Sequence, residues 1–446
     1  MSKRNLILIT IVLAIIAVVA FGFFYFYQPK DQTVDNTEDT NFFANFLPFG
    51  KSKTTTSTET TPPVDVSGFE PTPEEEIQNV NLKKVSSFPV AGFGVFMKER
   101  YKEIPNPSQT LPLSGEENPI PPTKEDSGGL TEFVPMLRYV DKATGNIYQT
   151  FADKIDERKF SSSIIPRVYE VFFGNKGESV VMRYLKTDNK TIETFVGALP
   201  KEFLGSDSVG TNEIKGSFLP ENISDISVSP DASKIFYLFD AGDGALGITL
   251  VLQTNAKVQV FDSPFTEWLS SWSNNKIITI TTKPSANVLG YMYAIDPDKK
   301  DFNKILGGIN GLTTLTSPNG RMVLYSNNNL SLGVFNRNTG NSSLLGVKTL
   351  PEKCVWGLAS DIIYCAVPRF IEQAQYPDSW YQGEISFSDE IWKIGVESGN
   401  TAMIADPISV ENGEEIDGIK LNLDEGQNYL FFVNKKDSYL WELNLK

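Results

Sequence analysis

Histidine is entirely absent from the 446 residues. That excludes Ser-His-Asp and Cys-His nucleophilic machinery, and with it every histidine-ligated metal site. A basic stripe is missing as well. Lys and Arg number 40 against 55 Asp and Glu, a formal charge of −15, so nothing offsets the phosphates of a nucleic acid. Such a charge suits a soluble, self-repelling surface outside the cytoplasm. Calcium loops are lacking too. The acid-rich turns Asp240–Gly244 and Asp296–Asp301 have neither the alternating ligands nor the distal glutamate that such a loop requires, and their glycine and proline mark them as structural turns. No catalytic residue, cofactor site or metal site is assigned. Carboxylate chemistry, lysine chemistry or non-catalytic binding remains.

What is present begins with an apolar run. Leu6 to Tyr27 is almost wholly hydrophobic, with Lys3 and Arg4 just before it and Tyr25, Phe26 and Tyr27 closing it. At about 1.5 Å per residue this length crosses a hydrocarbon core of roughly 30 Å. The run is too long for the apolar region of a cleavable signal peptide, although Val18-Val19-Ala20 offers a small-residue site. The reading is a single-pass signal-anchor helix over residues 5–27, with residues 1–4 in the cytoplasm and the remainder displayed outside the membrane. Residues 28–80 are acidic or low-complexity, as in Thr54–Pro63, and read as a disordered linker. One apolar patch, Phe42 to Phe49, interrupts it and reads as a surface resting on lipid or on the folded domain, or as a short docking motif.

Beyond residue 80 a turn recurs every 43 or 44 residues: Ser229-Pro230-Asp231, Ser273-Asn274-Asn275, Ser317-Pro318-Asn319-Gly320 and Ser360-Asp361. Each precedes a short β-rich run such as Ile235–Leu238 or Met322–Tyr325. A period of about 40–50 residues holding several short strands marks a β-propeller blade. Inner strands are expected to begin near Pro89, Pro166, Asp225, Trp268, Thr313, Lys353 and Gly418, which makes seven blades over residues 81–446. The last blade has only three strands before the chain stops. Asn81–Ser86 is the leftover strand, expected beside Tyr439–Leu445 to close the ring and remove its open edges. The fold class is therefore all-β, a seven-bladed propeller preceded by a transmembrane helix and a linker.

The Ser-Pro-Asp turn before Lys234-Ile235-Phe236-Tyr237, echoed at Ser317–Tyr325, resembles the TolB-like and WD40-like propellers. Residues 81–446 are also similar to uncharacterised, membrane-anchored propeller proteins of small-genome bacteria. The resemblance implies a fold and leaves the role open.

Cys354 and Cys365 are the only cysteines. A tight turn at Ala359-Ser360 sets them opposite one another on a hairpin, within reach of a disulfide that an extracytoplasmic setting permits. Two buried free thiols are the other reading. Two connections are much longer than the rest, 102–130 and 369–388. The second carries Tyr376, Asp378, Trp380 and Tyr381, residue types enriched at binding hot spots, and forms the candidate binding loop. Its aromatics could equally pin the loop to its blade. The expected function is a non-catalytic scaffold at the cell envelope, a monomeric propeller holding a protein or wall polymer and binding no nucleic acid. An envelope polysaccharide hydrolase or lyase working through Asp and Glu is the alternative, with Glu384, Asp389 and Glu390 among the acids on offer.

Overall fold

The computed structural model describes residues 82–102, 129–162, 164–202, 204, 213–410 and 413–446. The expected anchor and linker lie outside the described residues, as does most of the 102–130 connection. Among the described residues no helix is long and apolar enough to cross a membrane.

Within the unit formed by residues 65–446, seven four-stranded antiparallel sheets follow one another along the chain. Blade one is Val90–Tyr101, Thr131–Asp141, Ile147–Phe151 and Arg158–Ser161; blade two is Val168–Gly174, Ser179–Leu185, Ile192–Ala198 and Lys215–Phe218. Blade three runs from Ile223–Val228 to Lys257–Ser263, blade four from Trp268–Asn274 to Phe302–Asn310, and blade five from Thr313–Thr316 to Ser342–Lys348. Blade six is Cys354–Trp356, Ile362–Pro368, Asp389–Gly395 and Thr401–Ala405. Blade seven takes Gly418–Leu423, Tyr429–Asn434 and Leu440–Asn444 from the C-terminal end and Leu82–Lys84 from the N-terminal side. The closing register is Leu82 opposite Leu443, Lys83 opposite Glu442 and Lys84 opposite Trp441. Ser86 extends the seal, its Oγ accepting a hydrogen bond from the Leu440 amide at 3.0 Å.

The strand pattern explains the ring. Successive side chains of a strand point to opposite faces, and the second strand is apolar on both except in blade four, where Thr279 and Thr281 meet Thr316 and Thr314 of blade five through their hydroxyls. In blade three Ile235 and Tyr237 pack toward blade two, whereas Phe236 and Leu238 pack toward blade four. In blade seven Leu430 and Phe432 join the cluster shared with blade six, while Phe431 and Val433 join the one shared with blade one. Every neighbouring pair of blades holds such a cluster, down to the smaller one of Met292, Leu312 and Val323 between blades four and five.

The recurring serine turn joins first strand to second. In blade three Ser229 Oγ donates to Asp231 at 2.6 Å and accepts from the Lys234 amide at 2.9 Å. Blade five repeats this with Ser317, Asn319 and the Met322 amide. There Gly320 takes the left-handed conformation, φ +69°, that the turn demands. Asp240 and Asp296 cap their own turns by accepting from the amides of Gly242 and Asp298, as their structural reading requires.

Because neighbouring strands are antiparallel, connections alternate between two faces. The face where inner strands begin, here the upper face, also carries every second-to-third connection, including 369–388. The 102–130 connection joins a first strand to a second and so leaves from the lower face, where Leu82 enters the sheet. The strand ends Tyr101 and Thr131 that flank 102–130 are thus on the face opposite to the 369–388 connection.

Glu442 is a buried acid, 1% exposed, whose Oε2 has no hydrogen-bond partner. Burial pushes its carboxyl up to about 8. A folded-state value above the unfolded one means that stability is full at low pH and falls as pH rises through 8. Glu442→Gln should therefore raise the thermal midpoint by a few degrees at pH 9. The gain should vanish at pH 4, and equal effects at both pH values would contradict this account.

Candidate functional site

The most heavily built part of the upper face lies around blade six. Lys353, at the start of its inner strand, is fully buried. Its Nζ donates to Asp389 Oδ2 at 2.7 Å, to Asp417 Oδ1, and to the Gly418 carbonyl at 3.2 Å. Both acids are fully buried as well. Asp389 opens the third strand of blade six, and Asp417 immediately precedes the first strand of blade seven. Burial pushes Asp389 up to about 6, against the pull of Lys353. Burial also acts on Asp417, but Lys353 and hydrogen bonds from Phe387 and Trp380 hold it below the ordinary carboxylate range.

This cluster anchors the 369–388 connection. Trp380 Nε1 donates to Asp417 Oδ2 at 2.9 Å, and the Phe387 amide and Ser386 Oγ donate to the same oxygen at 3.1 Å. Tyr376, Trp380 and Phe387 pack with Leu330 and Leu350 in an apolar cluster of their own. At its far end the connection reaches blade four, where Asp378 Oδ2 accepts from the Ala286 amide at 2.6 Å and Gln375 accepts from Asn287 at 2.9 Å. A segment of this length is thus fixed at both ends across blade five.

The four residues expected to form a binding loop divide accordingly. Tyr376 and Trp380 are each only 3% exposed and serve to seat the loop. Asp378 is engaged with blade four. Tyr381 alone presents a large surface, at 37% exposure. It is hydrogen-bonded through its hydroxyl to Glu352, and burial beside that acid raises it well above the usual phenol range. The structure holds Cys354 and Cys365 as a disulfide between directly paired strand residues.

The mouth of the central channel concentrates perturbed groups that sequence reasoning missed. Glu352 is pushed up to about 7 by burial, with Asp225 of blade three adding to the shift. Asp225 itself is pushed to about 6 by burial, although Ser270 of blade four donates to it at 2.6 Å. Lys420 of blade seven is lowered by burial, against the pull of Glu170 and with the charges of Lys142 and Arg183 adding to the shift. It is crowded by protein yet open to water, as a channel-lining side chain is. Each of these residues lies within two positions of the first residue of an inner strand, so an alignment of the seven blades on their strand starts would have exposed them. No group of three or more acidic or cysteine ligands capable of holding a metal occurs among the described residues.

No family model matches the chain, and no curated protein matches it. Solved structures do match. Oligogalacturonate lyase in complex with manganese is 9% identical over 70% of this chain and 85% of that one, with a TM-score of 0.45. The Vibrio parahaemolyticus oligogalacturonate lyase is 8% identical over 82% and 97%, at 0.46. TolB from Acinetobacter baumannii is 11% identical over 68% of this chain and 61% of its own, at 0.37. The seven-bladed propeller itself rests on the order of the sheets along the chain.

Lys353→Met should leave Asp389 and Asp417 buried without their cation and cost about 3–5 kcal/mol in a denaturant titration. Combining it with Asp389→Asn and Asp417→Asn should recover much of that loss. Intact protein under non-reducing conditions should weigh two hydrogens less than the reduced form, and quantitative alkylation of both cysteines without reductant would refute the bridge.

Proposed function

We propose that this protein is a non-catalytic binding scaffold of the cell envelope. Residues 5–27 anchor it in the membrane, residues 28–80 tether it, and the propeller stands outside, holding a protein or wall-polymer partner on its upper face. The observation that carries the reading is the docked 369–388 connection. A surface loop held by a buried Lys353–Asp389–Asp417 cluster at one end and by blade four at the other is pre-organised. Pre-organisation lowers the ordering cost that binding must otherwise meet. Phe370 at 66% exposure and Tyr381 at 37% supply apolar contact area along it.

A hydrolase or lyase acting on envelope polysaccharide is the second reading. The raised values of Glu352 and Asp225 favour it, since shifted carboxyls in a channel mouth are what general acid–base catalysis needs.

Crosslinking in intact membranes followed by purification discriminates between the two. A specific partner should be enriched, and its recovery should fall at least several-fold in Phe370→Asp at an unchanged melting temperature. Polysaccharide turnover abolished by Glu352→Gln or Asp225→Asn would replace the scaffold reading with the enzymatic one. Protease applied to spheroplasts should release the propeller, whereas protection would place it inside.

A further inference from the structure

Blades seven, one and two enclose a cleft of about 290 Å³ on the upper face. Its charged lining is Lys142, Lys420, Lys435 and Glu170. Three lysines thus line one cleft of a chain whose net charge is −15, with Lys420 and Lys142 close enough to repel one another and Lys435 turned toward Trp380, Asp417 and Glu352. None of the three has a carboxylate within ion-pair distance among the described residues. Each is parked on a neutral acceptor: Lys142 on Ser438 Oγ at 3.2 Å, Lys420 on the Ala91 carbonyl at 3.1 Å and Lys435 on the Trp380 carbonyl. The one acid in the lining, Glu170, is ion-paired with Arg183 and acts on Lys420 only at longer range. Glu170 and Asp417 offset part of this charge, yet the lining stays net positive, three lysines against one acid, and each ammonium has further N–H donors to offer.

We propose that this cleft is an oxyanion site, taking a ligand or partner group that bears a carboxylate or phosphate. Lys142 and Lys435 come from the second-to-third connections of blades one and seven, and Lys420 from the inner strand of blade seven, so three separate segments converge on it. Charge-assisted hydrogen bonds from several ammonium groups to one oxyanion are the strong kind, and a ligand charge would relieve the mutual repulsion of Lys420 and Lys142. The neutral lining sets the rest of the ligand. Val90, Ile419 and Val433 form apolar wall, and the Tyr169 ring is 37% exposed. A bare ion would leave these unused, so the oxyanion belongs to a group with an apolar or ring-bearing body. Lys435 also lies 4.4 Å from the Trp380 ring centroid, which joins the cleft to the docked loop. The inference rests on the upper-face reading above and names the chemistry that face recognises.

Calorimetric titration of the full chain at constant ionic strength tests this, with inorganic phosphate in one arm and benzoate in the other. Binding at one site per chain is expected in at least one arm, and the arm that binds identifies the anion. Affinity should drop about tenfold or more in Lys420→Met and in Lys142→Met. Lys276→Met, on the lower-face turn of blade four, should leave it unchanged. Should Lys420→Met fail to fold, Lys142→Met, on an exposed turn, decides the matter alone. No heat in either arm at millimolar ligand, or binding indifferent to the cleft lysines in folded variants, overturns the proposal. Partner recovery that persists in Lys142→Met while no anion binds would sink the oxyanion site and leave the scaffold standing.

Discussion

Two-sided burial is the constraint on which the rest of this molecule depends. A sheet whose second strand reads Ile235-Phe236-Tyr237-Leu238 has apolar residues on both faces and cannot be satisfied by one neighbour. Each blade needs one on either side, and only a closed ring supplies that to all seven. The ring must then be locked by chain from its other end, because the C-terminal segment brings only three strands. Leu82–Lys84 fills the gap and leaves Leu82 and Leu443 paired at the outer edge of blade seven. The final blade is the place where sequence-distant strands must meet, and it also holds the unpaired buried Glu442. Tension between closure and electrostatics is thus concentrated in one sheet.

The Lys353 cluster obeys a different logic. A buried ion triad of this kind is weak evidence for stability, since desolvation of three charges offsets most of their attraction. Its geometry specifies position. Asp417 Oδ2 gathers donors from Trp380, Ser386 and Phe387, so the loop can seat in only one arrangement without stranding a buried carboxylate. Apolar packing of Tyr376, Trp380 and Phe387 supplies the area, and the charges supply the register. Asp389 Oδ1 remains without a partner, which marks the cost at which that register is held.

Much of the fold was legible because its signals are local. Serine turns, period-two apolar runs and proline-marked connections all lie within a few residues of the strands they delimit, and the expected strand starts fall within a few residues of the observed ones. A count of strands sufficed to place the N-terminal closure. Tyr139–Tyr148 joins second strand to third and Val334–Gly340 joins third to fourth, each through a glycine turn. Turn chemistry, with Gly145 at φ +75° and Gly340 at φ +73°, repeats wherever two strands reverse and does not report which pair. The site was far less legible. Trp380 looked like a hot spot because its type is right, while its burial depends on Asp417, a residue 37 positions away. Glu352 of blade six feels Asp225 of blade three, and Lys420 of blade seven feels Lys142 of blade one and Glu170 of blade two, only because the ring closes.

Ring closure also accounts for the electrostatics of the upper face. Inner strands converge there, so charges that would be solvated on an isolated blade are crowded by six others and lose water. Desolvation raises Glu352 and Asp225 and lowers Lys420, in each case toward the neutral form. A mouth built this way resists holding its own charges, and a bound group of complementary charge restores what desolvation removed. The perturbed acids Asp225 and Glu352 belong to blades three and six, whereas the cleft lysines Lys420, Lys435 and Lys142 belong to blades seven and one. The mouth is therefore polarised from one side to the other. A ligand or partner carrying an oxyanion would meet it in a preferred orientation, with its negative end toward blades seven and one and its remainder extending toward the docked loop. That orientation follows from which blades carry which charges, and so from the order of the blades in the sequence.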